Sequence, residues 1–173
     1  MKLQDRTNTL PLLILIVGML ILAYWAITSL TAQDPLWFSR EFQDRPSLMI
    51  VYHNGQRTEL RPGQPGFDKL ARAVQSCLEQ GFVRLTKFGL SEQSLQRAYT
   101  QDVALEVVFE QPVEIHTWFE PGPTTQMLFL ITGEYDTMNV VLLGKDHYRA
   151  GAPELETLEP IREAVKSLGF LTN

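Results

Sequence analysis

The chain is poor in the residues that build cross-linked or metal-bound folds. Its 173 residues include one cysteine, Cys77, and three histidines. A single thiol excludes an intrachain disulfide and any zinc site made of several cysteines. The histidines, His53, His116 and His147, show neither an HxH nor an HxxxH spacing, so we expect no metal site. We therefore predict a fold held by apolar packing, without a metal or other cofactor.

Sequence motifs for nucleotide binding and for serine catalysis are also lacking. No GxxxxGK[ST] or GxGxxG follows a predicted strand, and there is no GxSxG elbow. The glycines instead fit ordinary turns. We predict that the protein is not an enzyme.

Positive charge is scarce after the first 33 residues. Residues 34–173 contain 13 basic and 19 acidic side chains, a net charge of −6. Nucleic-acid-binding proteins usually carry a basic surface, so we expect no nucleic-acid partner.

What the sequence does contain is a long uncharged run from Thr7 to Gln33. Its densest apolar part, residues 10–30, would be about 31 Å long as a helix, the thickness of the hydrocarbon core of a bilayer. A cleaved signal peptide has a shorter apolar region and a small-x-small cleavage site, which is poorly matched here. We predict a transmembrane anchor helix over residues 10–31 that contacts the lipid bilayer.

The charges that flank this run indicate its orientation. Lys2 and Arg6 precede it, whereas the first charge after it is Asp34. The positive-inside rule then makes residues 1–9 a short cytoplasmic tail. We predict a single-pass protein of the cell membrane, with an extracytoplasmic C-terminal domain and a membrane or extracytoplasmic protein as its partner.

Residues 32–46 form a juxtamembrane segment. Asp34 and Pro35 are typical of a helix start, which predicts a short interfacial or docking helix over residues 35–44. Its aromatic side chains fit either the lipid headgroup layer or the core of the following domain, and both interpretations remain open.

Residues 47–173 have the patterns of one globular α+β domain. The clearest element is an amphipathic helix over residues 67–80, which places Cys77 on its apolar face as a core thiol. Further helices are predicted over residues 91–100 and 158–168. Strands are predicted over residues 47–53, 56–60, 82–88, 103–109, 113–119, 125–132 and 138–143.

The short loops between these strands predict antiparallel pairing. Each strand has one apolar face, and each helix has one apolar stripe, so these surfaces must cover each other. We predict an α+β, two-layer domain in which two or three helices pack on an antiparallel sheet.

The candidate site residues are Glu114, His116 and Trp118. Their spacing of two places them on one face of the predicted strand 113–119. The other face carries the alternate residues, Val113, Ile115, Thr117 and Phe119. A carboxylate beside an imidazole can orient it as a general base or a ligand. The alternative is a polar face exposed to water, which Glu106 would share.

Three hypotheses about function follow. The leading one is a non-enzymatic interaction or accessory domain held at the outer membrane surface. The alternative is a small-molecule-binding sensor or carrier domain, which a pocket of several hundred Å³ with convergent polar groups would favour. The third is a hydrolase that uses Glu114 and His116, which a deep cleft around His116 would favour.

Overall fold

The computed structural model describes residues 9–171. The predicted cytoplasmic tail, with Lys2 and Arg6, lies before this range except for Thr9. The elements in chain order are α1 (Thr9–Ala32), β1 (Leu48–His53), β2 (Gln56–Leu60), α2 (Phe67–Gln80), β3 (Phe82–Leu85), α3 (Glu92–Thr100), β4 (Val103–Val108), β5 (Gln126–Leu130), β6 (Val141–Gly144), β7 (Pro153–Leu155) and α4 (Glu159–Ser167). The fold is α+β, as predicted.

Helix α1 coincides with the predicted anchor to within one residue at each end. Its 24 residues give a length of about 36 Å. Nearly all its large apolar side chains are exposed, so by length and composition it qualifies as a membrane span or a signal sequence. The helix ends at Ala32, the next residue, Gln33, has a φ of 55°, and the Asp34 N–H donates to the Ser29 carbonyl over 3.1 Å. This is a Schellman cap, which satisfies a carbonyl of the last turn.

Five strands form an antiparallel sheet in the order β2-β1-β4-β5-β6, and β3 pairs with β7 in a second, two-stranded sheet. The predicted hairpin at Asn54 and Gly55 is confirmed. Both residues have positive φ, 49° and 75°, and His53 is paired with Gln56 across a two-residue loop. Asparagine and glycine tolerate this backbone, whose twist matches that of the strands.

Apolar side chains are buried on both faces of the main sheet. One cluster joins residues of β1, β4, β5 and β6 with residues of α2 and α4, including Cys77 at 0% exposure. A second cluster lies on the opposite face, around Ala104, Leu128 and Leu142, with Ala98 of α3. The expectation that the Glu106 face of the sheet lies in water was therefore wrong. Helix α3 lies beside β1 and β4 and contributes to this cover.

The predicted strand 113–119 is also wrong, because this segment belongs to neither sheet. Strand β4 is already paired with β1 on one side and with β5 on the other. The Phe109 N–H donates to the Thr125 carbonyl over 2.8 Å, so the chain after β4 has no free edge of this strand to join. Residues 113–119 instead leave the sheet as an excursion between β4 and β5.

The predicted helix over residues 35–44 is replaced by a turn at residues 35–38 and a stretch without regular structure. The Leu36 N–H donates to Asp34 Oδ1 over 2.7 Å, and the Ser39 N–H donates to the Leu36 carbonyl over 2.7 Å. Asp34 thus starts a turn that no helix continues. The chain then runs to the main cluster, where Phe42 is buried at 4% exposure. Of the two interpretations of the aromatics, Phe42 follows the one in which they pack on the domain core.

Candidate functional site

His116 is paired with Asp34, two residues after the end of helix α1. Its Nδ1 lies 2.8 Å from Asp34 Oδ2, and the two side chains are 20% and 19% exposed. A carboxylate can only accept a hydrogen bond, so the imidazole donates from Nδ1. In the neutral ring this leaves Nε2 as a hydrogen-bond acceptor. His116 is therefore half-buried and oriented, and it does not stand on a freely solvated face.

Glu114 does not share this arrangement. It is exposed, and its backbone N–H donates to Asp44 Oδ2 over 2.9 Å. Trp118 is 43% exposed and packs edge-on against Phe119 at 5.3 Å between ring centroids. Of the three predicted site residues, the structure brings His116 and Trp118 to one cleft and leaves Glu114 outside its lining.

Segment 113–119 keeps the alternation that the sequence predicted, although it is not a strand. Val113, Ile115, Thr117 and Phe119 are buried, with 3–8% exposure. The residues between them are exposed or half-buried. The burial period of two is that of an extended chain. The prediction of which side chains are buried was therefore correct, while the prediction that the segment pairs as a strand of the sheet was wrong.

A cleft of about 270 Å³ lies between this segment and the juxtamembrane chain. We call it the juxtamembrane cleft and define it by residues 37–42 and 115–118, with Leu78, Gly81 and Phe82 completing its lining. Trp37 is one of its residues, and its ring meets Tyr24 of α1 edge-on at 5.8 Å. The cleft is thus next to the last turns of helix α1.

Two buried polar atoms of the cleft residues have no hydrogen-bond partner within the described part of the chain. They are Trp37 Nε1 and Thr117 Oγ1. Thr117 is only 3% exposed. An indole N–H can only donate, and a threonine hydroxyl can donate and accept. A buried polar group without a partner costs about 1–3 kcal/mol, so this cleft is suited to a ligand that supplies hydrogen-bond acceptors.

The other histidines and the cysteine lie elsewhere. His53 Nε2 lies 3.1 Å from Asn54 Nδ2 beside the hairpin turn, and His147 lines a groove on the other side of the main sheet. Within residues 9–171, no group of three or more His, Cys, Asp or Glu side chains is placed to hold a metal ion. Burial raises the pKa of the Cys77 thiol to about 11, as expected for a core residue.

Sequence reasoning missed the role of Glu106. One of its carboxylate oxygens accepts a hydrogen bond from the Tyr52 hydroxyl and the other accepts one from the Tyr148 hydroxyl, each over 2.7 Å. Burial, followed by the neighbouring Glu106 charge, raises the pKa of Tyr148 and of Tyr99, the latter to about 12. The sequence did offer a signal, because Glu106 is the only acidic residue in the apolar strand VALEVV. A carboxylate in such a strand is usually hydrogen-bonded by another side chain.

Glu106, Tyr99 and Tyr148 line a groove of about 470 Å³. Arg149 also lines it, although its guanidinium donates to the Pro121 carbonyl and to Thr124 Oγ1. The groove therefore combines a carboxylate with two aromatic rings.

Comparison with known proteins adds no relative: the chain matches no protein-family model, no curated protein and no solved structure.

Proposed function

We propose that this is a single-pass membrane protein whose two-layer α+β domain is a non-enzymatic interaction or accessory domain. The domain is held at the outer surface of the cell membrane, and a membrane or extracytoplasmic protein binds it at the juxtamembrane cleft. The observation that carries the proposal is a pair of buried groups that have no partner among residues 9–171, Trp37 Nε1 and Thr117 Oγ1, beside the end of the apolar helix. The cluster that joins residues of α2, α4 and the sheet supports the packing of these two helices on one face of the sheet.

The link between helix and domain supports this function because several contacts orient the cleft. Gln33 Nε2 donates to Glu120 Oε2 over 3.2 Å, and the Trp25 indole N–H donates to the Pro35 carbonyl over 3.2 Å. The Gln33–Glu120 and Asp34–His116 contacts attach the helix end to His116 and Glu120, while the Trp25–Pro35 bond holds the chain after α1 against the helix. A tethered domain that was free to tumble would need none of them.

Exposed aromatic side chains at the cleft also support it. Phe38 is 59% exposed and Trp118 is 43% exposed, and both line the cleft. Aromatic residues are enriched at the centre of protein interfaces.

The orientation can be tested with protease added to intact cells. We expect the domain to be degraded while the anchor is spared, because Lys2 and Arg6 favour a cytoplasmic N-terminus. Cleavage of the domain only after the cells are permeabilised would show the opposite orientation.

The interaction can be tested by photo-crosslinking in native membranes, with a benzophenone amino acid in place of Trp118. We expect one protein adduct of defined mass, which weakens when Trp37→Phe and Thr117→Val are added. The same probe in place of Glu163, an exposed residue of α4 that lies outside the cleft lining, is the matched control. Adducts with lipid alone, or equal protein adducts from both positions, would contradict the proposal.

The Glu106 groove favours a second candidate function, that of a small-molecule sensor or carrier. Its volume is of the size that binds small ligands, and a carboxylate with tyrosine rings suits an organic cation. Titration with tetramethylammonium should shift the tyrosine fluorescence of the full chain, and Glu106→Gln should abolish the shift. An unchanged spectrum would remove this candidate.

A further inference from the structure

Segment 115–119 leaves its backbone without partners in the described chain. The Val113 N–H donates to the Thr124 carbonyl and the Glu114 N–H to Asp44, but no such bond is formed by the N–H or carbonyl groups of residues 115–119. Nearly all buried backbone groups in proteins are paired. An extended chain with unpaired backbone groups presents the same surface as the edge of a sheet.

The ends of this stretch limit where another chain could pair with it. Pro112 precedes it and Pro121 follows it, and proline has no N–H to contribute to a ladder. Between them stand no proline and no lysine, the residues that commonly block strand edges. The chain bends at Trp118 and Phe119, so the stretch that can pair as a strand is residues 115–117.

The wall of the cleft opposite this stretch is also without regular structure. Residues 39–42 form neither helix nor strand, and beside them lies the unpartnered indole N–H of Trp37. From the other side, the unpartnered hydroxyl of Thr117, which is 97% buried, belongs to the same cleft. A ligand that lies between residues 39–42 and 115–119 would need acceptors for the Trp37 indole N–H and the Thr117 hydroxyl. It would also need both donors and acceptors for the backbone of residues 115–119.

We propose that the juxtamembrane cleft binds an extended peptide segment of a partner protein, which adds as a short strand alongside residues 115–117. This inference rests on the proposed function and specifies how the partner is recognised. Only a polypeptide backbone offers alternating N–H and carbonyl groups at the spacing of a strand. A lipid supplies acceptors in its headgroup but no such row of donors. Apolar side chains of the peptide would pack on Phe38 and Trp118, which gives selectivity beyond the backbone.

The test uses the full chain in phosphatidylcholine nanodiscs and a phage-displayed library of random decapeptides. Peptides that bind the wild-type chain are selected after depletion on the Trp37→Phe/Thr117→Val variant. We expect a family of peptides with alternating apolar residues and no proline at its centre. Recovery of no peptide, or of peptides that bind the variant equally well, would overturn the inference.

A selected peptide is then synthesised with a single N-methyl group at each position in turn. Because alternate N–H groups of a strand point to its partner, methylation at every second position should weaken binding by about tenfold or more. Methylation at the intervening positions should change it little. A period near 3.6, or no period, would show a helical or side-chain mode of binding and overturn strand addition.

Amide hydrogen exchange provides the matching measurement on the protein. The amides of residues 115–117 should exchange rapidly in the free chain and become protected in the complex, while those of β4 remain unchanged. If the crosslink from position 118 is formed but the N-methyl scan shows no period of two, the proposed interaction domain is supported and the proposed strand addition is wrong. If the crosslink is also absent, the proposed function fails.

Discussion

Asp34 uses its two carboxylate oxygens for two different tasks. Oδ1 accepts the Leu36 N–H and closes the turn after α1, while Oδ2 pairs with His116. One side chain therefore fixes both the direction in which the chain leaves helix α1 and its attachment to segment 113–119. Losing it should release the cleft wall as well as the turn.

A double-mutant cycle between Asp34→Ala and His116→Ala should show a coupling of about 1–2 kcal/mol, the range for a half-buried, charge-assisted hydrogen bond. The measurement is urea unfolding of the full chain in mild detergent. The exposed pair Arg45–Asp68, whose side chains are 65% and 63% exposed, is the matched control and should couple by at most about 1 kcal/mol. Equal couplings for both pairs would show that the contact with His116 adds nothing.

The tyrosines around Glu106 should make the domain sensitive to alkaline pH. The pKa of Tyr148 is raised from its ordinary 10.0, first by burial and then by Glu106, so the unfolded chain loses this proton more readily than the folded one. Stability is thus fully present below pH 10 and falls as the pH rises above it. Tyr148→Phe should reduce this slope by up to about 1.4 kcal/mol per pH unit.

Urea unfolding between pH 9 and 11.5 measures the slope in the wild-type chain and in Tyr148→Phe. Tyr135→Phe, which changes a tyrosine that makes no hydrogen bond to Glu106, is the control. An identical slope in wild type and Tyr148→Phe would refute the assignment.

At the scale of the elements, segment 113–119 is held in place by its buried side chains. Ile115, at 7% exposure, belongs to the main cluster, whereas Glu114 is exposed. Ile115→Ala should therefore cost about 2–5 kcal/mol of unfolding free energy, since it leaves a cavity. Glu114→Ala should stay within about 0.5 kcal/mol. Denaturant melts of the two variants measure both losses. A larger loss for Glu114→Ala than for Ile115→Ala would show that the Glu114 face of the segment is the buried one.

At the scale of the whole molecule, the juxtamembrane segment is part of the folded unit. Phe42 meets Phe109 edge-on at 6.0 Å inside the main cluster, and Arg40 donates to the Gln80 carbonyl. We expect the fragment 34–173 to fold and the fragment 47–173 to be less stable by about 3–5 kcal/mol, the cost of removing a buried phenylalanine.

Thermal unfolding of the two fragments, with Phe42→Ala in the longer one as the control, measures this difference. The variant should account for most of the loss. Equal stability of 34–173 and 47–173 would mean that the domain begins at residue 47 without help from the segment before it.

Local signals predicted a large part of the fold. The Asn54-Gly55 turn, the apolar stripe of α2 and the uncharged run of α1 each depend on neighbours in sequence, and the structure has all three. The alternation of segment 113–119 was equally visible. Its lack of a strand partner was not, because that depends on β1 and β5 having taken both edges of β4.

The sequence by itself determined the apolar helix, the hairpin, the α+β class and the side of segment 113–119 that is buried. These follow from propensity and periodicity, which act over a few residues. Only the tertiary structure decided which polar groups meet. Asp34 and His116 are 82 residues apart, and Glu106 and Tyr148 are 42 apart. Such contacts depend on the order of the strands and on where distant segments cross. A local sequence pattern contains no information on either. The juxtamembrane cleft is formed by contacts of this kind.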